Sequence, residues 1–230
     1  MWEGGEVWIL GGGPSLIDCF NIPSEVVNSV RTKKESISAY SPYLAAIHNK
    51  HVIGINVAYQ FGKWLDICFF GDKNFFLGHK HNLANWGKLT VTCSKYVANK
   101  DQSWIKYLPA ESKKGVPVDY AQLGISSYNK AVCWNWNSGG AAISLAAWLG
   151  VKRIVLVGFD MTLSNSNQHF HNEYIKKGTK LAVKNLPFSK HLQGFPFIKA
   201  DADRMGIEII NTSLNSAIQD FPKVHIKELL

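Results

Sequence analysis

Two stretches of this chain carry residue types at spacings that suit chemistry. The first is "NQHFHNEY", which sets His169, His171, Glu173 and Tyr174 close together. His169 and His171 flank Phe170, so on an extended segment they share one face. A neutral imidazole with a pKa of about 6.5 is matched to taking a proton from a hydroxyl at neutral pH. H-x-H with Glu173 also has the types of a metal site, but no further ligand is evident in the sequence. Two surface histidines on a loop are the plainer alternative.

The second stretch is "WILGGGPSLIDCF", where an apolar run ends in Gly11, Gly12 and Gly13 and restarts after Pro14 and Ser15. Glycine permits positive φ and close approach of a ligand to the backbone. Pro14 suits a first helical position, and Ser15 and Leu16 would then offer free N–H groups to an anion. The turn therefore reads as a phosphate cradle, with a tight strand–helix turn as the alternative. A Cβ at Gly13 is expected to block the phosphate and leave the fold intact. G-x-G-x-x-G fails at Leu16, and G-K-[ST] is absent.

These residues need elements to position them. Buried strands are predicted at 6–11, 51–56, 65–72, 88–93, 151–160 and 207–211, with a short candidate at "WIKYL". "NSGGAAISLAAWLG" (137–150) reads as a helix ended by Gly150, and a second helix is predicted near 197–205. Alternation of apolar strands with helices indicates α/β with a mainly parallel sheet. Composition marks no domain boundary in 1–230, and 94–132 is a candidate inserted lid. Ligands of such sheets sit at the carboxyl ends of the strands. That edge collects Gly11–Gly13, Asn56, Asp72 and Asp160.

Composition sets the limits. The chain has 230 residues, 46% hydrophobic, which suffices for one substantial core. No apolar run approaches the roughly 20 residues of a membrane span, and the N-terminus lacks a signal-peptide pattern. Cys19, Cys68, Cys93 and Cys133 form no metal-type pair, so a cytoplasmic location is expected. A formal net charge of +8 permits an anionic partner, a nucleotide or DNA among them. Lys176, Lys177, Lys180 and Lys184 could track a phosphate backbone or form a solvated helix face. Trp134 and Trp136 either stack on a base or pack in the core. Asp201 and Asp203 superficially match D-x-D, but beside Arg204 on a helix they read as a solvated face.

"ILGGGPSL" resembles the G-x-G-P-S-L opening of bacterial Rossmann-like sialyltransferases. It is also similar to a related group that includes archaeal 6-hydroxymethylpterin diphosphokinases and many phage proteins. "GINVAY", "NSGGAAISLAAWLGVKRIVLVGFDM" and "NTSLNSAIQDFPKVHIKELL" match in order, so the resemblance spans the chain except roughly 94–132. It implies a Rossmann-like fold and a nucleotide-sugar donor. Gly11, Gly12, Gly13 and Ser15 would face phosphate or ribose, Asn56 the sugar or phosphate, and Asn137, Ser138 and Gly139 the ribose or phosphate. Asp160 would lie near ribose or base. The family's histidine and phosphate-binding tyrosines fall in this part of the chain at different spacing, and point to His171, then His169, with Tyr174. Asp72 follows Gly71 as in the pterin kinases, whose acids hold magnesium.

The expectation is a metal-independent glycosyltransferase with no cofactor, acting on a modified DNA base or a glycan. The alternatives are an ATP- and magnesium-dependent pterin-type diphosphokinase and a non-catalytic nucleotide-binding module.

Overall fold

The computed structural model describes residues 2–100, 103–111, 123–126, 130–164, 166–174 and 186–230. Seven strands form one sheet: β1 (Glu6–Leu10), β2 (His51–Ile55), β3 (Ile67–Phe70), β4 (Leu89–Thr92), β5 (Ile105–Tyr107), β6 (Arg153–Val157) and β7 (Glu208–Asn211). The order is β5-β4-β3-β2-β1-β6-β7, and every pairing is parallel. The chain first builds outward from β1 on one side, then returns to add β6 and β7 on the other. The order thus reverses at β1, where such sheets open a ligand crevice. This is the α/β, Rossmann-like architecture expected from the sequence.

Alternation along β1 shows why its run is continuously apolar. Trp8 and Leu10 enter one core, and Val7 and Ile9 enter the other. The first core is covered by α1 (Ser15–Cys19), α2 (Ser24–Arg31) and α3 (Lys73–Trp86), with a 3-10 segment at Ile37–Ile47. The second is covered by α5 (Ser138–Trp148) and α7 (Phe195–Met205). The short helices α4 (Lys95–Ala98) and α6 (Phe188–Leu192) complete the described α-helices, and further 3-10 segments lie at Asn56–Phe61 and Ile226–Glu228.

α5 is buried from Ser138 through Ala147, which explains its Ala and Gly content. A Cβ on Gly139 would meet the Phe159 ring at 2.7 Å, so glycine lets the helix start sit against the end of β6. The predicted helix near 197–205 is longer, starting at Phe195. α3 was not foreseen, because its N-cap position makes no side-chain cap bond and its sequence mixes histidine and asparagine among the apolar residues. Its buried face is Phe75, Phe76, Leu83 and Trp86, and Gly87 in the left-handed region ends it. Of the candidate lid, β5 is the edge strand of the sheet. Residues 112–122 and 127–129 lie outside the described residues.

The glycine turn differs from the sequence expectation. None of Gly11, Gly12 and Gly13 has positive φ; Gly158, across from them, does, at +71°. The turn instead allows two chain segments to touch. Gly11 N–H donates to the Val157 carbonyl at 2.8 Å, and Gly13 N–H to the Gly158 carbonyl at 2.8 Å. A Cβ on Gly13 would lie 1.7 Å from Asp160 Oδ2 and 2.6 Å from the Gly158 oxygen. Both obstacles are protein, so a side chain there strikes the fold itself. Gly13→Val is therefore expected to lower unfolding stability by at least about 1–3 kcal/mol, the usual range for overpacking. Urea unfolding reads this directly. Unchanged stability with loss of ligand binding would restore the open-cradle reading.

Candidate functional site

The carboxyl ends of β1, β2, β3 and β6 surround a cavity of about 340 Å³, closed on one side by the start of α5. Gly11, Gly12, Gly13, Asn56, Asp72, Asn137, Ser138, Gly139, Asp160 and His169 all line it. The sequence reading thus brought most of its candidates to one place. Ser15, His171 and Tyr174 are not on its wall.

Ser15 is the clearest correction. Its N–H donates to Asp160 Oδ1 at 3.2 Å, and its hydroxyl donates to Asp160 Oδ2 at 2.9 Å. The start of α1 is thus occupied by a carboxylate of the protein itself. α1 spans only Ser15–Cys19, so it brings little dipole to the site. Ser213 Oγ lies 2.6 Å from Ser15 Oγ and accepts from the Phe159 N–H at 3.1 Å. Ser216 Oγ donates to the Phe159 carbonyl at 2.6 Å. The Asn-x-Ser…Ser segment after β7 therefore clamps the end of β6. Burial pushes the Asp160 carboxyl up to about 6, against the two bonds from Ser15.

α5 offers what α1 does not. Asn137 caps it, accepting from the Gly140 N–H at 2.6 Å and donating to the Asn135 carbonyl at 3.0 Å. Helix geometry leaves the Ser138 and Gly139 N–H groups without intrahelical acceptors. Ser138 Oγ is buried and has no hydrogen-bond partner, and neither has Asn56 Oδ1. Both residues line the cavity. Buried polar atoms are rarely left unpaired, so two such atoms on one cavity mark a place for a polar ligand.

Backbone strain gathers at the same place. Asn56, Trp136 and Met161 on the cavity wall have φ of 52°, 57° and 48°, and Asn135 beside them has 46°. Residues other than glycine adopt this region at a cost, and such outliers cluster at functional sites. The consecutive pair Asn135–Trp136 turns the chain sharply into α5. Trp134 packs against Gly71, where a Cβ would come within 1.9 Å of its ring. The Trp136 ring carries Lys190 Nζ at 3.2 Å from its centroid. Both tryptophans line the cavity, and Trp134 also packs against the second core.

The histidine segment is anchored rather than a free surface loop. Phe170 is fully buried, its N–H donates to the Gly12 carbonyl at 3.0 Å, and its carbonyl accepts from Tyr40 Oη at 3.2 Å. This pins His169 against Gly12, where a Cβ would lie 2.9 Å from Nδ1. His171 stacks behind it, ring centroids 5.2 Å apart and planes 6° from parallel. Tyr174 sets its ring edge-on to both histidines. His169, not His171, therefore reaches the main cavity, which reverses the preference drawn from sequence. His191, on α6, also lines the cavity and was not singled out in the sequence. Only its position opposite His169 in the fold reveals it. Burial lowers His169 and His191 to about 4 each, so both are neutral at pH 7.

Glu173 pairs with Lys33 at 3.8 Å and holds the rim. Asp201 caps the loop amide of Ile125 at 2.8 Å and pairs with Arg204, and Asp203 bonds Lys199, so neither aspartate joins the cavity. Lys176, Lys177, Lys180 and Lys184 lie outside the described residues. Among the described residues no helix is long and apolar enough to cross a membrane, and no group of three or more His, Cys, Asp or Glu is placed to hold a metal ion.

No protein-family model matches the chain, and no curated protein matches it by sequence. Two solved structures are similar in fold. One is the sialyltransferase CstII from Campylobacter jejuni in complex with a substrate analogue, CMP-3FNeuAc, at 15% identity and TM-score 0.47. The other is a CstII variant in complex with CMP, at 15% identity and TM-score 0.49. Each alignment covers 96% of this chain and 86% of the other. The chemistry of the cavity stands on its own geometry.

The pKa shifts predict how stability follows pH. His169 and His191 have folded pKa values near 4, below the ordinary 6.5. Their contribution is present above pH 6.5 and is lost as pH falls through 4. Asp160 is raised from 3.8 to about 6 and acts oppositely, its contribution being lost as pH rises through 6. The histidines outnumber it, so stability should fall from pH 6.5 to 4. Urea midpoints across that range should show the fall, shallower in His169→Gln and steeper in Asp160→Asn. A flat wild-type profile would contradict this assignment.

Proposed function

We propose that this protein transfers a sugar from a nucleotide-sugar donor to an acceptor hydroxyl. The observation that carries this reading is the start of α5: an eleven-residue helix facing the cavity, with Ser138 Oγ buried and unpartnered beside two free N–H groups. Such an end favours an anion, through directed N–H donors and about half a positive charge. A donor phosphate seated there would have its leaving-group charge stabilised by fixed dipoles. The aromatic wall of Trp134 and Trp136 suits a base or sugar face. Asn56 Oδ1 is an acceptor for a ligand N–H or hydroxyl. The resemblance of the glycine turn, the S-G helix and the G-x-D strand end to the sialyltransferases points the same way.

His169 is the proposed base. At a pKa of about 4 it stays neutral, though it is a weaker base than a solvated histidine. A phosphate entering the cavity would raise that pKa, since a nearby negative charge favours the imidazolium. Donor binding would thus prepare the base. Asp72 stands at the cavity edge, at the N-cap position of α3 but with no side-chain cap bond, and is free to meet the acceptor or sugar.

Binding and turnover should separate in two variants. Ser138→Ala should weaken nucleotide binding about 10-fold, the loss of one hydrogen bond to a charged group. His169→Ala should bind nearly normally but lose at least about 100-fold in turnover. A calorimetric panel of nucleotides and nucleotide sugars, with and without magnesium, supplies both the ligand and the reaction to assay. The acid limb of kcat/KM, which reports the free enzyme, should lie near pH 4, and that of kcat higher. A magnesium requirement with AMP as product would favour a diphosphokinase. Ligand binding with full activity in His169→Ala would remove the histidine base.

A further inference from the structure

Behind His169 lies a second, smaller cavity of about 130 Å³, lined by Gln168, His169, His171, Asn172 and Tyr174 among others. His171 is 3% exposed, and its Nδ1 accepts from the Glu173 N–H at 3.1 Å. The neutral ring therefore carries its proton on Nε2, and that atom is buried with no hydrogen-bond partner. Arg31, the last residue of α2, lies against the same segment. Its Nη2 donates to the His169 carbonyl at 3.3 Å, and its carbonyl accepts from Asn172 Nδ2 at 3.1 Å. These bonds place it against the residues on both sides of His171. Arg31 Nε is also buried without a partner, and among the described residues no carboxylate pairs with this guanidinium.

Three side-chain nitrogens at this place are buried and unpaired: Arg31 Nε and His171 Nε2, which are N–H donors, and His169 Nδ1, whose role is set by its tautomer. The charged and titratable groups facing His171 are basic as well: His169, His79, Arg31 and Lys33 all oppose its protonation. Of the acids acting on the pocket residue Tyr174, Asp72 and Glu173, the second is engaged with Lys33. A half-buried guanidinium without a counter-charge is costly, and a cavity lined by the unpaired His171 donor in a positive field suits an anion. We propose that this pocket is an oxyanion site, with His171 Nε2 as its donor, Arg31 beside the lining segment as its counter-charge, and a phosphate or carboxylate group as its ligand. Its volume admits a compact group and no larger ligand. Because His169 and Gln168 line both cavities, an anion here sits directly behind the main site. The proposal does not rest on the nucleotide reading.

The test is inorganic phosphate, titrated into the protein and followed by the His171 imidazole resonances in NMR and by thermal unfolding. Phosphate should shift those resonances and raise the unfolding temperature. Arg31→Gln should weaken it about 10-fold or more, with Arg31→Lys between. Circular dichroism and nucleotide binding at the main cavity check that each variant is folded. Acetate in place of phosphate compares the two oxyanion types. Competition with a nucleoside monophosphate then separates two sources. Displacement of phosphate identifies an anionic group of the main-site ligand, and simultaneous binding identifies a free ion; the site stands in both cases. Unmoved His171 resonances, or equal phosphate affinity in folded Arg31→Gln, would overturn it even if nucleotides still bind at α5.

Discussion

The carboxylate of Asp160 is the interaction on which the rest of the site depends. It lies three residues beyond the end of β6, takes both bonds from Ser15, and lies directly under Gly13. Its own carbonyl accepts from the Ala217 N–H at 2.8 Å, in the segment after β7. Three distant parts of the chain thus meet at one buried acid. That junction sets the separation of β1 and β6 at their carboxyl ends, the crevice where the cavity opens. It also explains the three glycines. A bulky turn could not close over the carboxylate, and the turn's backbone could not bond to the Gly158 carbonyl.

With the start of α1 occupied from within, the burden of binding an anion falls on α5. Asn137 satisfies one N–H of that helix and leaves those of Ser138 and Gly139 facing the cavity. The left-handed residues Asn135 and Trp136 deliver the chain to this start at a conformational cost. On the opposite wall, buried Phe170 locks the histidine segment to the core, so His169 is held where a mobile loop would leave it free. The protein's overall positive charge has little part in this. The groups that define the main cavity are neutral imidazoles, amides, hydroxyls, aromatic rings and two carboxyls.

Much of this was legible in the sequence because local chemistry and period agree. The apolar runs 6–11 and 151–160 can only be buried strands, and "NSGGAAISLAAW" can only be a helix buried on all sides. The rule that ligands gather at strand ends collected Gly11–Gly13, Asn56, Asp72 and Asp160, and the structure places all of them on one cavity. What failed did so for long-range reasons. The Ser15 N–H looked free because its acceptor, Asp160, lies far along the chain. Nothing in H-F-H tells which histidine faces inward until Phe170 is seen to take the core. His191 and Arg31 carry no local motif; both acquire meaning only from what packs beside them. α3 was hidden by a polar composition that conceals its buried face.

The claim that most needs a direct test is the place of the phosphate. A crystal structure of the protein with a bound nucleoside monophosphate decides it. The account predicts phosphate oxygens within hydrogen-bond distance, about 2.7–3.2 Å, of Ser138 Oγ and of the Ser138 and Gly139 N–H groups, with the Asp160–Ser15 bonds intact. A phosphate seated instead on the N–H groups of Ser15 and Leu16, with Asp160 displaced, would contradict it.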